Sequence, residues 1–369
     1  MTYHLMSQHD NLVECLSSDK RPLGFLLGAG CPMAVQVNGS PIIPDIAGVT
    51  ARAYDAVHGN AATSGSIEQV FQQCEADYGR TPTVEDALSH IRALLLVAGH
   101  ERVRGLTFDE LTTLDAAICS QIEQLVRVDL PTANTAYHRF ATWIGGVDRV
   151  KPIEIFTTNY DLLVEEALEA QRVPYFDGFP GGVSPSFDAS AVEDNDLPSH
   201  WVRLWKLHGS VNWRQTAEGR VVRGGSLEQG TRYVIYPSHL KYDESRKMPY
   251  LAMLDRLKGF LKQPDAVLIT CGYSFGDQHI NDVIVQQLQR TNGAAAFALI
   301  YGELEENASA VSCALSRPNL TVAARDGAVI GGRKGDWETE DSVEAFTLGN
   351  FAEFTQLLSE LVGMKEASR

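Results

Sequence analysis

The sequence predicts an α/β fold: a Rossmann-like doubly wound parallel sheet with one helical insertion and no zinc module. Three observations carry this. Short apolar runs (Leu23–Leu27, Ile153–Phe156, Trp201–Lys206 and Ala266–Cys271) read as buried strands. Each is followed at once by a glycine-rich or polar segment, where an open parallel sheet binds ligands. Outside one block, strand-like and helix-like patterns alternate, as βαβ units require.

In chain order, Asp10–Ser17 reads as a short outer helix and Leu23–Leu27 as the first strand. Residues Val35–Thr50, with Pro41, Pro44 and several glycines, read as a loop. The block from Ala51 to Gly146 differs in character. Ile67–Tyr78, Val84–Ala98, Thr107–Val128 and Thr132–Ile144 all space their apolar residues helically, and Thr107 with Glu110 forms a capping box. The expected division is therefore a sheet domain of residues 1–50 and 147–369 around an inserted helical subdomain, 51–146, forming its own layer or a lid. Strand returns at Ile153–Thr157 and helix follows at Asp161–Gln171. Phe179–Asp196, rich in Pro, Gly, Ser and acid, reads as a long mobile loop. Trp201–Leu207 and Thr231–Tyr236 read as strands enclosing a small β excursion, and Ser245–Leu261 as helix. Ala266–Cys271, Ala295–Ile300 and Leu320–Ala324 complete the buried strands. Ile280–Arg290 is a helix between the first two, and Val343–Leu361 is a terminal amphipathic helix.

Composition narrows the function classes. The 369 residues are 44% hydrophobic, enough for a large core. A net charge of −16 repels phosphate backbones, so autonomous nucleic-acid binding is not expected. The six cysteines are scattered with no CxxC pair, so no structural zinc and no metal are expected. The acids form no metal-binding cluster by spacing either, which disfavours a nuclease. Residues 1–14 lack a signal-peptide pattern, and apolar runs such as Ala93–Ala98 are too short to span a bilayer. A cytoplasmic protein with free thiols is expected, making no membrane contact.

The four strand-end segments hold the candidate site. Gly28-Ala29-Gly30 permits a tight turn and close approach of backbone to phosphate, but lacks the third glycine of a dinucleotide fingerprint. In Thr157-Thr158-Asn159-Tyr160-Asp161, either Asn159 or Asp161 is suited to cap the following helix, and Asn159 is equally able to point into the cleft. His208 stands at the carboxyl end of its strand, before Gly209, where a neutral-range base would serve. Gly272-Tyr273-Ser274 is suited to hold an adenine or a ribose. The same segment reads equally well as a plain connection capped by Ser274 or Asp277, with Asn281 and Asp282 facing outward.

Taken together and in order, these segments resemble the sirtuin family, and within it the bacterial sirtuin-like branch associated with antiphage defence. Leu26-Leu27-Gly28-Ala29-Gly30 is similar to the family's opening Gly-Ala-Gly turn, and Ile43-Pro44-Asp45 to its Ile-Pro-Asp element. Thr157–Asp161 is similar to its Thr-Gln-Asn-Ile-Asp motif, His208-Gly209 to its catalytic His-Gly pair, and Gly272-Tyr273-Ser274 to its late Gly-Thr-Ser turn. Pro32 stands where sirtuins carry serine, Ile46-Ala47 where deacylases carry Phe-Arg, and the four-cysteine zinc module is absent. The segment after His208-Gly209 shows no clear strand to pair with an acyl-lysine peptide. The resemblance therefore implies hydrolysis of NAD, as substrate, to ADP-ribose and nicotinamide. Protein deacylation and a non-catalytic NAD- or ADP-ribose-sensing scaffold are the alternatives. Asn159 and His208 are the implied catalytic pair. Asn159 would orient the ribose or the attacking water, and His208 would take a proton. Gly28, Ala29 and Gly30 would hold the diphosphate through backbone amides, with Thr157 and Asp161 shaping the pocket. Asp45 would line the nicotinamide side, while Gly272, Tyr273 and Ser274 would hold the adenosine half. The resemblance further implies a homo-oligomer and a separately encoded HerA-type ATPase partner, since the chain ends soon after its last helix.

Overall fold

The computed structural model describes residues 1–99, 101–182, 184–194, 196–224, 232–235, 248–338 and 345–363. A ten-stranded sheet runs through it. Leu23–Leu27 pairs in parallel with Ile153–Thr157 on one side and Val267–Cys271 on the other. Beyond Ile153–Thr157 come Val202–Lys206 and then Tyr175–Phe176, both parallel. Beyond Val267–Cys271 come Ala295–Leu299 and Leu320–Ala323, again parallel. An antiparallel hairpin, Gly327–Ile330 and Arg333–Trp337, then leads to the edge strand Thr2–Tyr3.

Each central strand alternates its side chains between two buried layers. Phe25, Ile155, Leu204 and Ile269 face one core, while Leu26, Phe156, Trp205 and Leu268 face the other. Covered on both faces, the strands become the continuous apolar runs seen in the sequence. The chain builds outward from Leu23–Leu27 in one direction and then crosses to Val267–Cys271 on the other side. The topological switch point therefore lies between these two strands, where a crevice opens at their carboxyl ends.

The helical block comprises Ile46–His58, Ser64–Tyr78, Val84–Val97 and Phe108–Val126, packed on one another. Its apolar residues, Val70, Leu88 and Ile118 among them, belong to the same core cluster as Phe25, so it is a layer continuous with the sheet. Ala136–Gly146 lies on the sheet itself, with Phe140 and Trp143 edge-on to Phe25. The capping box of Thr107 and Glu110 forms, and Thr83 with Asp86 makes another.

Several expectations are corrected. Val35–Thr50 is not all loop: a two-residue hairpin occupies Gln36–Pro41, and helix starts at Ile46 because Asp45 caps the amide of Gly48. Phe179–Asp196 contains the helix Ala189–Asp194, and Phe187 is tied to the Val221 carbonyl. A strand does follow His208, at Gly209–Gln215. Val221–Arg223 pairs with one edge along Trp213–Gln215 and Arg232–Ile235 with the other, so among the described residues both edges carry a partner strand. The last helix is Phe351–Leu361, and the one before Val267–Cys271 is Tyr250–Leu261. The expected beginnings of these two at 343–344 and 245–247, like residues 231 and 236 of the Thr231–Tyr236 strand, lie outside the described residues.

Candidate functional site

A cavity of about 620 Å³ opens at the switch point. Its lining includes Ala29, Gly30, Asp45, Asn159, Asp161, His208, Gly272, Tyr273 and Ser274, so segments far apart in the chain do converge. Gly28 and Thr157 sit just behind it.

Gly28 and Gly30 have a packing job. A Cβ on Gly28 would stand 2.4 Å from the Gly272 carbonyl oxygen, and one on Gly30 2.8 Å from the Gly272 Cα. Gly272 itself has φ +64°, and a Cβ there would stand 2.5 Å from the Cys31 nitrogen. The two turns interlock backbone against backbone, which only glycine permits. Their amides are already committed: Gly28 N–H donates to the Cys271 carbonyl at 3.0 Å and Gly30 N–H to the Gly272 carbonyl at 2.9 Å. The expectation that these two amides hold a diphosphate is therefore corrected, because a donor paired inside the protein has no proton to offer a ligand. The helix that follows, Gly30–Met33, is a single turn. Cys31 is fully buried beneath Gly272, and burial pushes its thiol well above the ordinary range, which leaves it inert.

The Thr157–Asp161 segment is pinned piece by piece. Thr157 is buried, donates its hydroxyl to the Leu27 carbonyl and accepts from the Asn159 amide, so it braces the turn without facing the cavity. The side-chain Nδ2 of Asn159 donates to the Gly28 carbonyl at 3.0 Å. That contact orients the amide and leaves Oδ1 as an acceptor at the cavity wall. Tyr160 donates its hydroxyl to Glu85 of the helical block at 2.9 Å, and its ring lies 6.4 Å from the His208 ring. Asp161 accepts from the Leu163 amide at 3.1 Å just ahead of the following helix, whose N-cap position is Leu162, and it lines the cavity. Burial pushes its carboxyl up to about 6, against the pull of the Lys206 ammonium.

His208 is 5% exposed, and its Nε2 lies 2.9 Å from Oδ2 of Asp277. The other oxygen of Asp277 accepts from the amides of His279 and Ile280, capping Gln278–Arg290. Burial works to raise the Asp277 carboxyl, but His208 and the two amides outweigh it and hold it below the ordinary range. Tyr273 is turned inward: its hydroxyl meets Asn281 Oδ1 at 2.8 Å, and its ring packs on Phe275. Asn281 is 2% exposed, so the expectation that it faces outward is corrected. It donates to the Phe275 carbonyl and locks the turn. Asp282 is exposed on the same helix. Ser274 is exposed at the cavity.

Two features escaped the sequence reading. Asp277 reaches back to His208 while capping its own helix, and nothing but the helix-cap signal marks it in the sequence. The helical block, expected as a layer or lid, lines the cavity through residues not singled out in the sequence: Arg80, Thr83, Val84, Glu85, Ile122 and Val126. Arg80 forks onto Asp86 at 2.8 and 2.9 Å and is the one Lys or Arg among the described lining residues. Among the described residues no group of His, Cys, Asp and Glu is placed to hold a metal, and no helix is long and apolar enough to cross a membrane.

Residues 153–320 match the SIR2-like domain. That span holds Asn159, His208 and Gly272–Asp277; the Gly28–Gly30 turn and the helical block lie outside it. No curated protein matches the chain. Among solved structures, a complex of a Sir2 homologue with NAD aligns over 98% of both chains at 12% identity and a TM-score of 0.41. Sir2 bound to an acetylated peptide aligns over 96% of this chain and 99% of its own, at 11% identity and 0.41. A Sir2 homologue mutant with ADP-ribose aligns over 96% of each, at 12% and 0.40. Values this low transfer neither a fold nor a residue's role.

Proposed function

We propose that this chain hydrolyses NAD at the bond between nicotinamide and ribose, releasing nicotinamide and ADP-ribose. The observation that carries the reading is the convergence of Asn159 and His208 on one switch-point cavity, with His208 backed by a buried carboxylate. The cavity volume is within the roughly 300–1,000 Å³ of small-molecule sites. Its electrostatics suit the chemistry. The transition state is oxocarbenium-like and carries positive charge, and Asp45, Asp161 and Asp277 line the wall. Asn159 Oδ1 orients the ribose or the water, and His208 accepts the proton. Arg80 supplies the cation that Ile46-Ala47 omits and meets a phosphate at the mouth. Ser274, rather than the inward-turned Tyr273, serves the adenosine half. Deacylation is disfavoured by the partner strands on both edges of Gly209–Gln215. An antiphage effector role, a homo-oligomer and a HerA-type ATPase partner extend this reading and rest on the sequence resemblance alone.

The test is incubation with NAD, following nicotinamide and ADP-ribose, beside Asn159→Ala and His208→Ala, each repeated with a HerA-type ATPase present. Loss of a general base costs about 10²–10⁴ in rate, so both folded variants are expected to lose most turnover. Binding of NAD without release under every condition would leave a sensing scaffold as the reading. Near wild-type turnover in both variants would sink the site assignment.

A further inference from the structure

Asp277 is doubly committed in a way a mere helix cap is not. One carboxylate oxygen takes the amides of His279 and Ile280 at 2.8 and 3.3 Å. The other lies 2.9 Å from His208 Nε2, 69 residues away in the chain, and both side chains are about 6% exposed. The carboxylate therefore cannot rotate away from the histidine without also disturbing its helix cap, nor the reverse. The turn that presents it is rigid: Phe275 holds φ +55°, and Asn281 clamps both the Tyr273 hydroxyl and the Phe275 carbonyl. Among the described residues no group bonds His208 Nδ1.

A neutral imidazole has one N–H and one lone pair, and the partner of one nitrogen decides which is which. An ionised carboxylate only accepts, so the nitrogen facing it must carry the proton. We propose that Asp277 is the positioning residue of this site. It holds His208 as the Nε2–H tautomer and leaves Nδ1 as the base that takes the proton of the attacking water.

The step balances without an oxidant. The bond from ribose C1′ to nicotinamide breaks and its electron pair goes to the ring nitrogen. A bond forms from the water oxygen to C1′, and the water proton passes to Nδ1. The resulting imidazolium donates from both nitrogens, Nε2–H to Asp277, and later yields the Nδ1 proton to solvent. In its kinetic part the inference rests on the hydrolase reading; in its tautomer part it does not.

The experiment uses Asp277→Asn. Asparagine is an equally good cap, so the helix is expected to survive, but its amide N–H presents a donor to Nε2 and favours the opposite tautomer. Nitrogen NMR of histidine-labelled protein, with His208 assigned by difference from His208→Gln, should show Nε2–H in the wild type and Nδ1–H in the variant. Turnover on NAD should fall by about 10²–10⁴ while KM moves less than about threefold, since only a transition-state contact is lost. Asp277→Ser, which also caps but is too short to reach the ring, should lose the fixed tautomer and serves if the asparagine variant fails to fold. An Nδ1–H ring in the wild type, an unchanged tautomer in the variants, or turnover within about threefold of wild type would overturn the proposal. A chain that never releases nicotinamide but shows Nε2–H in the wild type and the switched ring in the variant would refute the hydrolase reading and leave the tautomer assignment standing.

Discussion

Two buried polar clusters flank the cavity, and they are balanced differently. On one side His208 meets Asp277 one to one, and that carboxylate has three donors around it. On the other, Lys206, 1% exposed, serves two acids. Its ammonium donates to Glu165 Oε1 at 2.9 Å and to the backbone carbonyl of Asp161, while Glu165 Oε2 has no hydrogen-bond partner among the described residues. Burial is similar in the two clusters, yet the carboxyl of Asp277 lies below its ordinary range and that of Asp161 rises to about 6. The difference teaches that depth alone does not set charge; the ratio of donors to carboxylates does. Asp277 stays an anion and can orient a ring. Asp161 titrates near neutrality and can respond to the charge of what binds beside it.

The comparison breaks most severely at Lys206. Lys206→Met leaves Glu165 and Asp161 uncompensated, and removing one partner of a buried pair costs about 3–5 kcal/mol. Urea melts should show a loss of that size at neutral pH, and a loss under about 1 kcal/mol would mean that the cluster is already neutral. A smaller and opposite effect is expected at Asp161. A carboxyl raised by burial to about 6 in the folded chain, above its ordinary value in an unfolded one, favours folding below that ordinary value, and the contribution is lost as pH rises through about 6. Asp161→Asn should therefore be more stable than wild type at pH 8 by on the order of 2–3 kcal/mol, and the gap should close near pH 4. Thermal melts across that range check it; a gap independent of pH would show that packing, not charge, is responsible. The smallest effect concerns the residue between the clusters. Tyr160→Phe removes the hydrogen bond to Glu85 and should cost about 1 kcal/mol while leaving the His208 ring in place, read by thermal melt and by the same histidine NMR.

Much of the fold was legible because its signals are local. Leu23–Leu27 and Ile153–Thr157 were read to the residue, since a buried strand is a short apolar run cut off by glycine or a polar turn. Three helices of the block, Ser64–Tyr78, Val84–Val97 and Phe108–Val126, were legible from spacing and from the Thr107 and Glu110 cap. Ile46–His58 was not read as a helix, because Gly48 and Pro44 carry loop signals; Asp45, ahead of an Ile-Ala pair, was the available clue. The strand Tyr175–Phe176 is too short for periodicity to register. Of the residues singled out in the sequence, Asn159, Asp161, His208 and Ser274 line the cavity, and each stands within four residues of the end of a strand. The amides of Gly28 and Gly30 were misjudged because their acceptors, the carbonyls of Cys271 and Gly272, lie at the end of a strand and in its turn more than 240 residues onward.

The sequence by itself determined the alternation of strand and helix, the strand ends on which chemistry sits, and the acidic character of the chain. These follow from side-chain periodicity and composition, which act over a few residues at a time. Only the tertiary structure decided that the Gly28 and Gly272 turns interlock, that Arg80 and Glu85 reach the cavity, and that Asp277 faces His208. Such contacts depend on strand order across the switch point. That order is set by how the layers bury their apolar faces together, and no stretch of chain carries it alone.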